Sequence, residues 1–269
     1  MENNYCRRDV NIQQIIDLVH QTRPIIMNEN NRQDITVKGL ADFVTKVDTQ
    51  VQDFLRGALC EAYPDVQFMG EEEHLHQVDP NRPAWILDPI DGTTNLIYDY
   101  RHSAVSLGYY EDGRIDAAVL YNPFSGETFH AVRGQGAFLN GSPIHVSGKS
   151  ALRDSLIAVG TSPYNKEFAP VNFRIFQEVY EQSLDIRRGG SAALDLAYVA
   201  CGRLDGYFER NLKPWDFAAG ALLVEEAGGC VGTFEQDRID FLKNQDVLGT
   251  NGQIQGELKA LIARHRRFS

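Results

Sequence analysis

Cysteine is scarce and scattered in this chain of 269 residues: Cys6, Cys60, Cys201 and Cys230 stand far apart and form no C-x-x-C pair. That spacing argues against a structural zinc site and fits reduced thiols better than a disulfide framework. Long apolar runs are missing too. Nothing approaches the roughly 18 residues of a membrane helix, and the stretch Met1 to Asp9 has no apolar core of a signal peptide. The expectation is therefore a cytoplasmic protein with no membrane contact. Positive charge is the third shortage: 26 Lys and Arg against 37 Asp and Glu leave a net charge of −11, which disfavours nonspecific binding to nucleic acid or anionic lipid. A phosphorylated small molecule stays compatible with that charge if cations held by some of the carboxylates reverse the local sign. Internal repeats, low-complexity segments and Pro/Ser-rich linkers are absent.

What is present is patterned. Val10, Ile12, Ile15, Ile16, Val19 and Ile26 recur near helical spacing and predict a helix over Arg8 to Ile26. The polar residues Asn28 to Asp34 read as a loop. A second helix is predicted from Asp42 to Tyr63, with Phe43, Val44, Val47, Val51, Phe54, Leu55 and Leu59 on one face. Val66 to Met69 reads as a short strand. Four alternating segments follow between Ser103 and Leu139, separated by turn residues such as Asp112-Gly113 and Arg133-Gly134, and Asn140-Gly141 after them is a strong hairpin cue. Later the chain alternates strands (Leu156 to Val159, Leu184 to Arg187, Gly206 to Glu209, Val247 to Thr250) with helices (Pro170 to Gln182, Ser191 to Cys201, Trp215 to Ala227, Ile254 to Arg264). An antiparallel block followed by an α/β block predicts helices layered against mixed sheets. The expected organisation is an N-terminal α+β lobe, 1–150, and a C-terminal α/β lobe, 151–269, packed as one functional unit.

One stretch carries more chemistry than any other: Trp85-Ile86-Leu87-Asp88-Pro89-Ile90-Asp91-Gly92-Thr93-Thr94-Asn95. Trp85 to Leu87 reads as a buried strand that delivers two carboxylates three residues apart, then Gly92 and two threonines. The aspartates suit a divalent cation, and the N–H groups and hydroxyls after Gly92 suit an anion. An ordinary Asp-Gly turn, with Asp88 as a helix cap, fits the same letters. Further acids recur where elements end. Glu71 and Glu72 follow the strand ending at Met69, within a Glu71-Glu72-Glu73 run that also reads as a solvated surface. Asp216 opens a helix after Pro214-Trp215, where the helix dipole favours an acid in any case. Asp48 lies within the second helix. Acids at the ends of different strands tend to converge on one edge, where without cations they repel and shift one another's pKa values. Arg188-Gly189-Gly190-Ser191-Ala192 is a glycine-rich entry to a helix that can bring backbone close to a ligand, and Glu209 at a strand end can accept from hydroxyls. The histidines form no metal pattern, and His74 and His76 read as solvent-facing.

These residues resemble the inositol monophosphatase family. The Trp85 to Asn95 stretch is similar to its first signature, and Trp215-Asp216-Phe217-Ala218-Ala219-Gly220 with Glu225-Glu226-Ala227-Gly228-Gly229 to its second. Gly70-Glu71-Glu72 and Val44-Thr45-Lys46-Val47-Asp48 match in order and spacing. The likeness spans about residues 40 to 255. It implies an α-β-α-β-α sandwich, Li+ sensitivity, usually a homodimer, and Mg2+-dependent hydrolysis of a phosphate monoester by metal-activated water. It also implies two or three Mg2+ ions held by Glu71, Asp88, the Ile90 carbonyl, Asp91 and Asp216, with Glu72 and Asp48 behind them or touching metal-bound water, and counts Asp48 and Asp91 with Glu71 and Thr93 as catalytic. Glu71 and Thr93 would orient the attacking water, and the Gly92 and Thr93 N–H groups would hold the phosphate. Asp91, Gly190, Ser191, Ala192, Glu209 and Asp216 match positions that contact inositol hydroxyls. Thr93-Thr94-Asn95 resembles the inositol branch, whereas Thr-Lys-Glu is usual in phosphoadenosine phosphatases and Thr-Lys-Ser in histidinol phosphatases. The expected substrate is a phosphorylated polyol, myo-inositol monophosphate. Fructose 1,6-bisphosphate, histidinol phosphate and 3′-phosphoadenosine 5′-phosphate are the alternatives within the family. A non-catalytic RNA- or protein-binding regulator is the alternative outside catalysis, and the intact acids and acidic net charge count against RNA.

Overall fold

The computed structural model describes residues 10–32, 35–39, 42–72 and 77–265. The expectations for Met1 to Asp9 and for His74 and His76 lie outside the described residues, as does Glu73. Helices α1 (Ile12–His20), α2 (Arg23–Ile26) and α3 (Glu29–Arg32) precede a hairpin of β1 (Ile35–Gly39) and β2 (Asp42–Thr45). Helix α4 (Lys46–Ala62) leads into β3 (Gln67–Gly70), β4 (Ala84–Asp91) and the short α5 (Thr93–Ile97). A meander follows: β5 (Ala104–Glu111), β6 (Arg114–Asn122), β7 (Glu127–Val132), β8 (Ala137–Leu139) and β9 (Ser142–Ile144). The remaining chain forms β10 (Leu156–Val159), α6 (Ala169–Gln182), β11 (Asp185–Arg187), α7 (Ala192–Ala200), β12 (Gly206–Leu212), α8 (Pro214–Glu226), β13 (Cys230–Gly232), β14 (Gln245–Thr250) and α9 (Gln255–Arg264).

Two sheets dominate. One has seven strands in the order β3-β4-β5-β6-β7-β8-β9, antiparallel except for the β3–β4 pair. The other has five, in the order β11-β10-β12-β14-β13, with β10 parallel to both its neighbours. Side chains alternate across a strand, and β4 shows the consequence. Trp85 and Leu87 pack with Ile15, Val19, Val51 and Leu55 of α1 and α4, whereas Ala84 and Ile86 pack with Leu196, Phe217 and Leu222 of α7 and α8. The same α7 and α8 layer meets Tyr207 and Val247 of the five-stranded sheet. That sheet's other face carries Val159, Phe208 and Leu248 against Ile175 of α6 and Leu258 and Leu261 of α9. The layers are therefore α-β-α-β-α, as the resemblance implies.

Three local expectations need correction. The stretch Asn28 to Asp34, expected as a loop, contains the short helix α3. The first helix is interrupted at Gln21 and Thr22, and Pro24 sits in the first turn of a new helix. In a continuous helix its ring would meet the carbonyl four residues back. The second predicted helix starts at Lys46, not Asp42, and Phe43 and Val44 belong to β2. Thr45 is the N-cap. Its Oγ1 accepts from Val47 N at 3.1 Å, while Asp48 Oδ2 accepts from Thr45 N at 2.8 Å, closing a capping box.

Candidate active site

Strand β4 does not end at Leu87 but runs to Asp91 through a register shift against β5, where Asp88 pairs with Ser106 and Asp91 with Ala104. A bulge accommodates Pro89, which cannot donate to the ladder, and re-aims the flanking side chains. Within it Ile90 N donates to Asp88 Oδ1 at 2.9 Å. Gly92 follows with φ of 91°, a left-handed conformation natural for glycine, and α5 begins at Thr93.

From the second sheet's side, α8 brings Asp216 to the same place. Oxygens of Asp88, Asp91 and Asp216 lie within 4.8 Å of one another. Each acid commits one oxygen to backbone: Asp88 Oδ1 to Ile90 N, Asp91 Oδ2 to Ala193 N at 2.7 Å, and Asp216 Oδ2 to Lys213 N at 2.7 Å. The second oxygen of each carboxylate is not engaged in these bonds. Burial pushes Asp88 well above the ordinary carboxylate range, reinforced by the charges of Glu71, Asp91 and Asp216. Burial, then the Asp91 charge, pushes Asp216 up likewise. Burial moves Asp91 to about 6, against the opposing bonds from Ser191 and Ala193. Three crowded carboxylates that burial discourages from ionising are the arrangement a cation relieves, and an oxygen-only donor set fits a hard divalent ion.

The other expected residues fall around this centre. Glu71 stands outside the three-acid group, although its charge reaches Asp88, and its N–H donates to Leu87 O at 3.2 Å. Thr93 Oγ1 lies 2.9 Å from Asp48 Oδ1 and 3.1 Å from the Ile90 carbonyl oxygen, and can donate its proton to either. Asp48 is fully buried, not an exposed helix residue, and burial raises it to about 6. Glu72 is also buried, and its charge acts on Asp48. A cavity of about 180 Å³ is lined by Asp91, Gly92, Thr93, Gly190, Ser191, Ala192, Glu209 and Asp216, with Phe43, Tyr164, Arg188 and Asp195 among the rest of its wall. A larger cavity of about 340 Å³ elsewhere has a lining whose arginines are both paired with Asp116, Arg114 at 2.7 Å and Arg133 at 3.4 Å. Converging acids mark the smaller one as the site.

Gln52, Asp195 and the partners of Glu209 are not among the residues that the sequence singles out. Gln52 Nε2 donates to Glu72 O at 3.1 Å and its Oε1 accepts from Glu72 N at 3.0 Å, fixing the backbone after β3. Glu209 is held at both oxygens, by Ser162 N and by Tyr207 Oη, each at 2.7 Å. Asp195 is buried in the cavity wall, four residues after Ser191 on α7. The helical spacing from Ser191 could have placed Asp195 near the site. Strand alternation puts Tyr207 on the same face of β12 as Glu209, whereas Gln52 and Ser162 meet their partners only through tertiary packing.

Five layers enclosing an acidic centre beside a glycine-lined cavity agree with the metal-dependent phosphatase class that the resemblance implies. The chain belongs to the inositol monophosphatase family, whose model matches residues 9–269, and is thereby a phosphoric monoester hydrolase. It is 40% identical over 229 residues to the Nus factor SuhB of Escherichia coli strain K12, covering 85% of this chain and 84% of that protein. It is 41% identical over 233 residues to an inositol-1-monophosphatase of Synechocystis, covering 86% and 80%. The IMPase structure from Thermotoga maritima superposes with a TM-score of 0.85 at 30% identity, covering 94% of this chain and 96% of that one.

Proposed function

We propose that this protein hydrolyses a myo-inositol monophosphate to myo-inositol and phosphate with Mg2+ as its cofactor. The observation that carries the reading is the convergence of Asp88, Asp91 and Asp216 within 4.8 Å beside a cavity lined by Gly190, Ser191 and Glu209. The uncommitted oxygens of the three aspartates, with Glu71 and the Ile90 carbonyl, would hold the ions. Bound there, Mg2+ supplies a lowered water pKa and neutralises phosphate charge. Thr93 Oγ1, donating to Asp48 Oδ1, keeps lone pairs to orient the attacking water, with Glu71 on its other side. Backbone N–H groups of Gly92 and Thr93 take the phosphate oxygens. Glu209, fixed by Ser162 and Tyr207, presents its remaining acceptor capacity to ring hydroxyls, alongside the Gly190 to Ala192 backbone. The rest of the reading is a cytoplasmic, Li+-sensitive homodimer without a nucleic-acid partner.

The test is phosphate release from myo-inositol 1-phosphate in Mg2+, compared with fructose 1,6-bisphosphate, histidinol phosphate and 3′-phosphoadenosine 5′-phosphate. Release should be fastest from the inositol ester and should vanish in EDTA and in Asp91→Asn. Preference for the nucleotide would overturn the substrate, and undiminished turnover of Asp91→Asn would overturn the mechanism. The name Nus factor carried by a relative favours a second reading, a non-catalytic factor on the same fold. Inertness toward the whole panel would select it.

A further inference from the structure

The Gly92 turn and the Gly189-Gly190 turn lie about 100 positions apart in the chain and approach closely. A Cβ on Gly92 would stand 3.2 Å from Gly190 O and 3.0 Å from His102 O. Asn95, on the helix that follows Gly92, is buried behind the contact. Its Nδ2 donates to His102 O at 2.7 Å and to Gly189 O at 3.0 Å, so both amide protons are used, one on each side of the seam. Ser103 Oγ donates to Gly92 O at 2.8 Å and secures the first turn from behind. Gly189 is wedged in turn, because a Cβ there would come within 2.7 Å of both Asp195 Oδ1 and His102 Nε2. The second turn is therefore closely confined between Asp195 and His102, and Asn95 ties its Gly189 carbonyl to the first turn. That turn carries Gly190 and Arg188, and among the described residues Arg188 is the only lysine or arginine that lines the cavity. The Arg188 guanidinium lies over Gly190, where a Cβ would meet Nη1 at 2.2 Å.

We propose that Asn95 is a positioning residue that sets substrate selection, holding the Arg188 to Gly190 turn at a fixed distance from the Gly92-Thr93 turn. The inference rests on the phosphatase reading above and adds to it. The Gly92 turn handles the phosphate that every substrate shares. The Arg188 to Gly190 turn meets only a leaving group bulky and polar enough to reach it. Loosening the tie between them penalises a polyhydroxylated leaving group and spares a small aryl ester. An aspartate at this position keeps the shape but turns both donors into acceptors facing two carbonyl oxygens.

The experiment measures kcat/KM for myo-inositol 1-phosphate and for p-nitrophenyl phosphate in wild type, Asn95→Ala and Asn95→Asp, each in Mg2+, with thermal unfolding in parallel. The expected result is a loss of about 10- to 100-fold for the inositol ester, mostly in KM, with the aryl ester within about threefold of wild type. Because the readout is a ratio within one preparation, lost folded protein cannot mimic it. If Asn95→Ala does not fold, the near-isosteric Asn95→Asp carries the test. Equal losses on both esters, a larger loss on the aryl ester, or no loss on either would overturn the role of Asn95. Wild-type protein inert toward both esters would instead overturn the phosphatase reading and this inference with it.

Discussion

Ser191 Oγ donates to Asp91 Oδ2 at 2.5 Å, across 100 positions of sequence, and the same carboxylate oxygen takes Ala193 N. Asp91 is thus both a member of the acidic centre and the charge at the N-terminus of α7. Ser191 is also that helix's N-cap, accepting from Leu194 N at 3.3 Å. Replacing Ser191 with alanine should cost about 1–2 kcal/mol of stability through the lost cap and the lost bond to Asp91. It should also weaken Mg2+ binding, because Asp91 loses part of its restraint. Denaturant unfolding and a Mg2+ titration read the two effects, and a variant unchanged in both would refute the link.

The crowding of Asp88, Asp91 and Asp216 makes a prediction opposite in sign to most core substitutions. Asp88→Asn removes a buried charge that its neighbours oppose, so the variant in EDTA should melt higher than wild type. Adding Mg2+ should then reverse the order. Wild type gains about 2.7 kcal/mol at a hundredfold excess over its dissociation constant, while the variant gains little. Melting curves with and without Mg2+ decide it, and parallel shifts for both proteins would count against a cation at this centre.

Gly160 exists to make room for Glu209. A Cβ there would sit 1.9 Å from the Glu209 carboxylate, which is itself pinned at both oxygens. Gly160→Ala should therefore displace Glu209 and destabilise the fold by about 1–3 kcal/mol through overpacking. The affinity for inositol phosphate should fall more than for an ester without hydroxyls. Equal affinity loss for both would mean that Glu209 does not recognise the polyol.

Glu127 and Arg203 give a pH dependence away from the acidic centre. The bidentate bond from Arg203 holds the Glu127 carboxyl below its ordinary 4.5. A carboxyl depressed in the fold stabilises it fully above the unfolded value, and loses that contribution as pH falls through the folded one. Glu127→Gln should be less stable than wild type by about 0.5–1 kcal/mol near neutral pH. The gap should close below the folded pKa, in the acid range under 4.5. Urea midpoints across that range test it, and a gap that persisted in acid would assign the effect to packing.

How much could be read from the letters depended on how local each cause is. Asp88, Asp91 and Asp216 were legible because acids that follow apolar strands or open a buried helix have few other reasons to recur. Helices layered against mixed sheets followed from an alternating block and an α/β block in succession, and the count of five layers came only with the family resemblance. The start of α4 was misplaced because Phe43 and Val44 continue the apolar spacing of the helix, yet the Thr45-x-x-Asp48 capping box was there to mark the true start. Strands β9 and β13 are three residues each, too short to show a period. The bulge at Pro89 was hidden because it needs β5 alongside to exist. Gln52, Ser162 and the paired hydrogen bonds of Asn95 were illegible for a related reason: each reaches backbone or carboxylate far away in the chain or in another layer, whereas Tyr207 stands only two residues from Glu209 on β12.

The way β4 and α8 supply the three acids also bears on how the molecule comes apart. Asp88 and Asp91 are neighbours along one strand, but Asp216 joins them only when α8 has seated against the seven-stranded sheet. Their mutual repulsion is therefore a property of the finished structure and is small in any earlier, looser ensemble. Relieving it, by neutralising one acid or by binding a cation, should slow unfolding far more than it speeds refolding. The lifetime of the folded chain would then follow the supply of its ion.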